Sequence, residues 1–272
     1  MTSKPNTYVL EYGDGTLRTL GWLSWRTVAN SAAYLQPYIQ PEMSILDVGC
    51  GPGSISVDMG KHVPKGRVVA IDPSPDLINE GRAFATQQGV TNVEFQVGDI
   101  HALDFPDNTF DIVHAHQVLQ HVADPVQGLR EMKRVTKPGG IVAVREGTEI
   151  SYYPEMPALK ATWTLFATMA RLKGTNPYSG NRIHAWAREV GFERSNITCS
   201  AGAWCLSTPE EREYWGVSMN TMLSGFGSKA VEMGLISQQD LKDQEESWKE
   251  WIKSEDGWFS LYHGEMLCRK DS

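Results

Sequence analysis

Three glycines and a proline in Gly49-Cys50-Gly51-Pro52-Gly53, with Asp47 just before them and Asp72 beyond, are the residues whose types and spacing can do chemistry. Glycines turn the backbone sharply and leave its N–H groups bare, so such a loop can receive a ligand. The dinucleotide fingerprint G-x-G-x-x-G would need a glycine at position 54, where Ser54 stands, and the pattern here is G-x-G-x-G. Asp47 argues against a pyrophosphate as well, because a carboxylate repels phosphate but attracts an ammonium or sulfonium. The loop therefore suits a cationic nucleoside. Asp72 lies nineteen residues beyond Gly53, a distance at which a carboxylate takes ribose hydroxyls.

These residues need strands and helices to hold them. Ile45-Leu46-Asp47-Val48 reads as a buried parallel strand running into the loop, 54–62 as a crossover helix, and 67–71 as a second strand. Pro73-Ser74-Pro75-Asp76 opens a helix to about Gln88, since Ser and Asp accept bonds from helix-start amides and proline is tolerated there. Val93–Val97 is a third strand, Pro106–Thr109 a turn, 110–115 a fourth strand, 124–136 a helix, and 141–146 a fifth strand. Five strands alternating with helices predict an α/β fold with a doubly wound parallel sheet. Further on, 156–172 and 181–191 read as helices, 192–200 as a sixth strand, 208–253 as interrupted helix, and 258–268 alternates like a last strand. Before the sheet, helical spacing of Trp25, Val28, Ala32 and Leu35 predicts a helix from about Ser24 to Ile39.

The glycine loop, Asp72, Gly98-Asp99-Ile100 and Lys137-Pro138-Gly139-Gly140, in that order, resemble the class I S-adenosylmethionine-dependent methyltransferases. Within them the chain resembles the ubiquinone/menaquinone-biosynthesis-type small-molecule enzymes, well over about residues 24–147 and loosely beyond. The resemblance implies a Rossmann-like seven-stranded sheet, strands 1–6 parallel and the last antiparallel between the fifth and sixth, with helical lid insertions. It implies S-adenosylmethionine as cofactor, held by Asp47, Gly49, Cys50 and Gly51, by Asp72 and Pro73, and by Asp99 on the adenine amino group with Ile100 as amide donor and apolar wall. The end of the fourth strand, His116 and Gln117, would lie beside the methionine portion. Arg26 would meet the cofactor carboxylate through a paired hydrogen bond.

Methyl transfer from a sulfonium is an in-line displacement, so the protein's work is to align the nucleophile, exclude water and accept any released proton. His116 and His121 are the candidates for that proton, since imidazole titrates near neutrality. His184 and His263 are more remote. Glu146, Tyr152 and Tyr153 can orient a hydroxyl or amine, and Tyr12, Trp22 and Trp163 are further substrate candidates. All nine tryptophans and all nine tyrosines lie before residue 41 or after residue 150, so the aromatic surface for a substrate comes from the coverings of the sheet. Residues 1–40 are expected as an amino-terminal lid or helical segment. Residues 41–272 are expected as the methyltransferase domain, with substrate-covering insertions at about 150–190 and 203–255.

The formal net charge of −8 and a pI near 5.4, with no basic run beyond two residues, disfavour nucleic acid as a partner. Cys50, Cys199, Cys205 and Cys268 lack metal-ligand spacing and read as free thiols of a reducing compartment. No apolar stretch reaches the length of a membrane span, and the expectation is a cytoplasmic monomer or homodimer acting on a small organic acceptor through an oxygen, nitrogen or carbon nucleophile, with no metal. Two other readings stand beside it: a protein that binds S-adenosylmethionine without methyl transfer, as a cyclase or regulatory subunit, and a nicotinamide oxidoreductase on the same sheet.

Overall fold

Apolar runs bounded by glycine and proline become strands buried on both faces, as a parallel sheet covered by helices requires. The computed structural model describes residues 25–271. In chain order the elements are α1 (Val28–Ser31), β1 (Ser44–Val48), α2 (Ser54–His62), β2 (Arg67–Asp72), α3 (Pro75–Gln87), β3 (Val93–Val97), β4 (Phe110–His116), α4 (Pro125–Val135) and β5 (Thr136–Tyr153). They continue as α5 (Pro157–Leu172), α6 (Ile183–Glu189), β6 (Ile197–Leu206), α7 (Pro209–Glu232), α8 (Gln238–Lys253) and β7 (Trp258–Arg269). Their residues gather in two compact units, and β5, β6 and β7 contribute to both.

The first unit holds described residues 25–148, 178–202 and 263–271. Among the described residues its sheet has seven strands in the order β3-β2-β1-β4-β5-β7-β6, the first six parallel and β7 antiparallel between β5 and β6. Reciprocal backbone bonds, Gly139 N–H to Lys270 O and Lys270 N–H to Gly140 O, both 2.9 Å, join β5 to the end of β7. The register sets Asp47 beside Ala70 on β2 and His114 on β4, so the carboxyl ends of the central strands arrive together. One core packs α1 and α2 on the sheet through Val28, Leu35, Ile55, Met59 and Ile112; another joins Val57, Ile78 and Phe95. α4 lies against β4 and α6.

The second unit's described residues are 149–177 and 203–262. α7 and α8 form a hairpin against which α5 packs, around a core of Leu159, Trp163, Trp215, Trp248, Trp251 and Phe259. Thr208 and Ser237 start the two long helices with capping boxes completed by Glu211 and Asp240. No described helix is long and apolar enough to cross a membrane.

Three local expectations change. The helix expected over 24–39 is one turn, Val28–Ser31, followed by a 3₁₀ turn at Gln36–Tyr38. Thr27 and Asn30 form a capping box, and the chain leaves helical geometry at Ala32, φ −138°. The sixth strand begins at Ile197 rather than Phe192, because Arg194–Asn196 form a 3₁₀ turn and the Arg194 guanidinium takes the Ile197 carbonyl at 2.9 Å. Lys137–Gly140 does not precede β5 but lies inside it, where the pairing with β4 shifts register between Phe110 and Ile112.

Candidate functional site

β1 delivers the chain into the glycine loop at Gly49, φ +67°, where a Cβ would stand 2.5 Å from Val118 Cγ2. Gly51 also has positive φ, +55°, but nothing lies within 4 Å of where its Cβ would be, so its backbone faces open space. The loop is tied to β2 by Cys50 N–H to Ile71 O, 2.9 Å.

Asp72 ends β2 and accepts from Gly51 N–H at 3.0 Å with one oxygen and from Ser74 N–H at 2.9 Å with the other. One carboxylate thus holds the glycine loop and the start of α3, while Pro73 bridges to the Ser74 cap. Burial pushes Asp72 up to about 6, against the pull of those two amides. The Cys50 thiol is driven up as well, by burial first and then by the fields of Asp72 and Asp47.

Asp47 is buried and fully engaged: it accepts from Ser56 Oγ and lies 2.8 Å from His114 Nδ1. An ionised carboxylate only accepts, so His114 carries its proton on Nδ1. Both Asp47 oxygens are thus engaged inside the protein. His114 was not among the sequence candidates; its signal was the pairing of β1 with β4, which sets it opposite Asp47.

Asp99 follows β3 and folds the next turn, accepting from His101 N–H at 2.9 Å and lying 2.8 Å from His101 Nδ1, with a side chain 42% exposed. Ile100 is buried against Gly128 of α4. The expected adenine wall and the turn cap are thus adjacent residues.

At the end of β4, Gln117 adopts φ +54° and links two buried cations or bases: it accepts from Arg26 Nη2 at 2.6 Å and lies 3.1 Å from His263 Nε2. The His116 and His263 rings are 5.9 Å apart. His116 is held far below the usual imidazole range by burial, with the charges of Arg26 and Arg145 adding to it. Burial, with Arg26 second, brings His121 down to about 4. Both imidazoles are neutral at physiological pH and weak as bases. His184 is exposed on α6.

Glu146, expected to orient a substrate hydroxyl or amine, binds the protein's own backbone in this structure. It is wholly buried, and its oxygens accept from Val118 N–H at 2.9 Å, Leu119 N–H at 2.8 Å and Gln120 N–H at 3.2 Å. It is a receptor for the loop after β4, the same loop whose Val118 abuts Gly49. Burial nonetheless pushes its acid up to about 7. A neighbouring buried pair, Arg145 Nε to Glu265 Oε1 at 3.2 Å with Ser200 Oγ on Glu265 Oε2 at 2.8 Å, ties β5, β7 and β6 together. Sequence reading missed it because its members are 120 and 65 residues apart.

Tyr12 and Trp22 lie outside the described residues. Trp163 is in the core of the second unit, Tyr152 packs on that core, and Tyr153 is 56% exposed. Among the described residues no cluster of three His, Cys, Asp or Glu is arranged to hold a metal ion.

A family model described as a methyltransferase domain matches residues 39–215. An uncharacterized methyltransferase of Schizosaccharomyces pombe is 36% identical over 264 residues, taking in 91% of this chain and 92% of that protein. A probable methyltransferase of Aspergillus luteorubrus is 32% identical over 286 residues, 99% of each. A solved structure of Haemonchus contortus phosphoethanolamine N-methyltransferase 2, in complex with phosphomonomethylethanolamine and S-adenosylhomocysteine, shares the fold. Its TM-score is 0.60 at 17% identity, covering 96% of this chain and 59% of that one. The nicotinamide reading gives way before these matches: the chain belongs to the class I S-adenosylmethionine-dependent methyltransferases and is an enzyme of methyl transfer.

Proposed function

We propose that the acceptor is a small organic molecule, methylated on an oxygen, nitrogen or carbon nucleophile, and that the cofactor is held along the carboxyl ends of β1, β2, β3 and β4. The observation that carries the cofactor reading is Asp72, a buried carboxylate steadied by the Gly51 and Ser74 amides beside the open face of Gly51. A ribose diol supplies the donors that such a carboxylate lacks in a buried setting. The negative field at Cys50 favours a sulfonium over a phosphate.

S-adenosylmethionine supplies an activated methyl on a sulfonium centre. Asp72 and Pro73 would take the ribose, Asp99 and Ile100 the adenine, and the Gly49–Gly51 backbone the amino-acid end, with Arg26 and Gln117 reading its carboxylate. Asp47 contributes charge, and through His114 and Ser56 it stiffens the loop. Glu146 positions the 118–120 segment. His116 and His121, neutral at working pH, would accept a proton only transiently or shape the cavity, so the reading favours an acceptor that needs little base assistance.

The acidic chain supports a small-molecule partner over nucleic acid. The aromatic side chains Tyr152, Tyr153 and Trp163 extend this reading to a flat or apolar acceptor. A cytoplasmic monomer or homodimer is consistent with it. The test is incubation with S-adenosylmethionine and a panel of phenols, amines and quinols, reading S-adenosylhomocysteine by mass spectrometry. Acceptor-dependent release with a product heavier by one methylene supports the proposal. Release only with nucleic acid or protein acceptors contradicts it.

A further inference from the structure

The core of the helical second unit contains polar atoms with no hydrogen-bond partner among the described residues. Trp251 shows the ordinary arrangement, its indole N–H donating to Tyr153 O at 3.1 Å. The indole N–H groups of Trp163 and Trp248 and the Oε1 of Gln244 have no such partner. Trp248 is 0% exposed, Gln244 3% and Trp163 9%. A buried donor or acceptor left unmade costs stability that an apolar side chain of the same size would not, so each asks for an explanation.

These atoms belong to one neighbourhood. The Trp163 and Trp248 rings are 6.4 Å apart and steeply inclined, and both meet Phe259, at 5.7 and 6.3 Å. Gln244 and Trp248 are four residues apart on α8 and share a face. α7 and α8 meet at Gly216–Ile252 and Gly227–Leu241, a register that sets Asn220 opposite Trp248. Asn220 is half-buried, and its Oδ1 is likewise without a partner among the described residues.

We infer that this unit holds a binding site for a small, planar, uncharged molecule that carries both a carbonyl-type oxygen and a hydroxyl or amine. An indole N–H only donates and an amide oxygen only accepts, so the occupant must bring an acceptor to Trp163 and Trp248 and a donor to Gln244. Its surroundings, Leu159, Trp251 and Phe259, are apolar and aromatic, which favours a flat neutral ring and penalises a charge. The inference goes beyond the proposed function and concerns a ligand site within this unit alone.

The test uses 4-hydroxyacetophenone, acetophenone and 4-ethylphenol, titrated by ligand-observed NMR into the full-length protein and its Trp163→Phe, Trp248→Phe and Gln244→Met variants. In the wild type the probe with both groups binds tightest. Trp163→Phe and Trp248→Phe weaken the two ketones by roughly three- to tenfold and leave 4-ethylphenol nearly unchanged. Gln244→Met weakens the two phenols by a similar factor and spares acetophenone. No binding of any probe, or equal binding of all three, overturns the site, as does a uniform loss across probes. If a variant melts early, the wild-type ranking alone decides. S-adenosylhomocysteine titrated into the same samples separates the two readings: intact cofactor binding without probe binding defeats only this site, and the reverse defeats the cofactor assignment.

Discussion

The glycine-loop region of the first unit and the aromatic core of the second treat their buried polar groups in opposite ways. Around the loop, carboxylates and backbone amides answer one another: Asp72 holds Gly51 and Ser74, Glu146 holds residues 118–120, and Asp47 holds Ser56 and His114. In the helical core, Trp163, Trp248 and Gln244 leave donors and an acceptor unanswered among the described residues. A site that must grip the same cofactor in every turnover gains from rigid preorganisation by its own chain. A site for one particular molecule keeps its hydrogen-bonding capacity for that molecule.

The largest effect is expected where one carboxylate does most of the holding. Asp72→Ala removes the partner of two amides and of the proposed ribose diol, and calorimetry should show a loss of roughly a hundredfold in S-adenosylhomocysteine affinity. An unchanged affinity would erase the contrast between the two regions.

Glu146→Gln should cost about 1–3 kcal/mol of stability by chemical denaturation, because the amide has one acceptor oxygen for three backbone N–H donors and turns its own N–H toward at least one of them. The sign of its pH dependence is fixed by burial. The folded acid titrates at about 7, above its ordinary value of 4.5, so its contribution to stability is fully present below 4.5 and is lost as pH rises through 7. The variant should show a flatter stability profile across that window. An identical slope would mean that Glu146 does not titrate there.

Gly49→Ala places a Cβ 2.5 Å from Val118 at φ +67° and should destabilise by roughly 2–4 kcal/mol, the sum of left-handed strain and overpacking. Adding Val118→Ala should recover the packing part and leave the strain. The smallest effect is expected from His121→Gln. An imidazole held near 4 carries no charge change between pH 6 and 8, so turnover should stay within about threefold of wild type, with no change in the shape of the pH profile. Loss of an alkaline or acidic limb on substitution would restore it as the base.

Much of the sheet was legible because buried parallel strands read as apolar runs and their glycine turns punctuate them; β1 to β4 fall within a residue of expectation. The single-turn α1 was not, since the periodicity of Trp25, Val28, Ala32 and Leu35 is that of a packed face whether or not the helix persists. Only the cap at Thr27 and the turn away at Ala32 decide it. At the site, the glycine loop and Asp72 were readable from spacing. Glu146 was visible as an acid at a strand end, but its partners are backbone amides 26 to 28 residues away, which carry no side-chain signature. His114 and the Arg145–Glu265 pair likewise needed strand register before they meant anything.

The most direct test of the cofactor site is calorimetric titration of S-adenosylhomocysteine into the wild type and Asp72→Asn at pH 7.5 and pH 5.0. Asp72 titrates at about 6, and a ribose diol donates to its ionised form, so affinity should be full above that value and fall as pH drops through it. The account predicts wild-type binding weakened by about tenfold at the lower pH, and weak, pH-independent binding in Asp72→Asn. Equal, pH-independent affinity in both proteins would contradict it and move the cofactor away from Asp72.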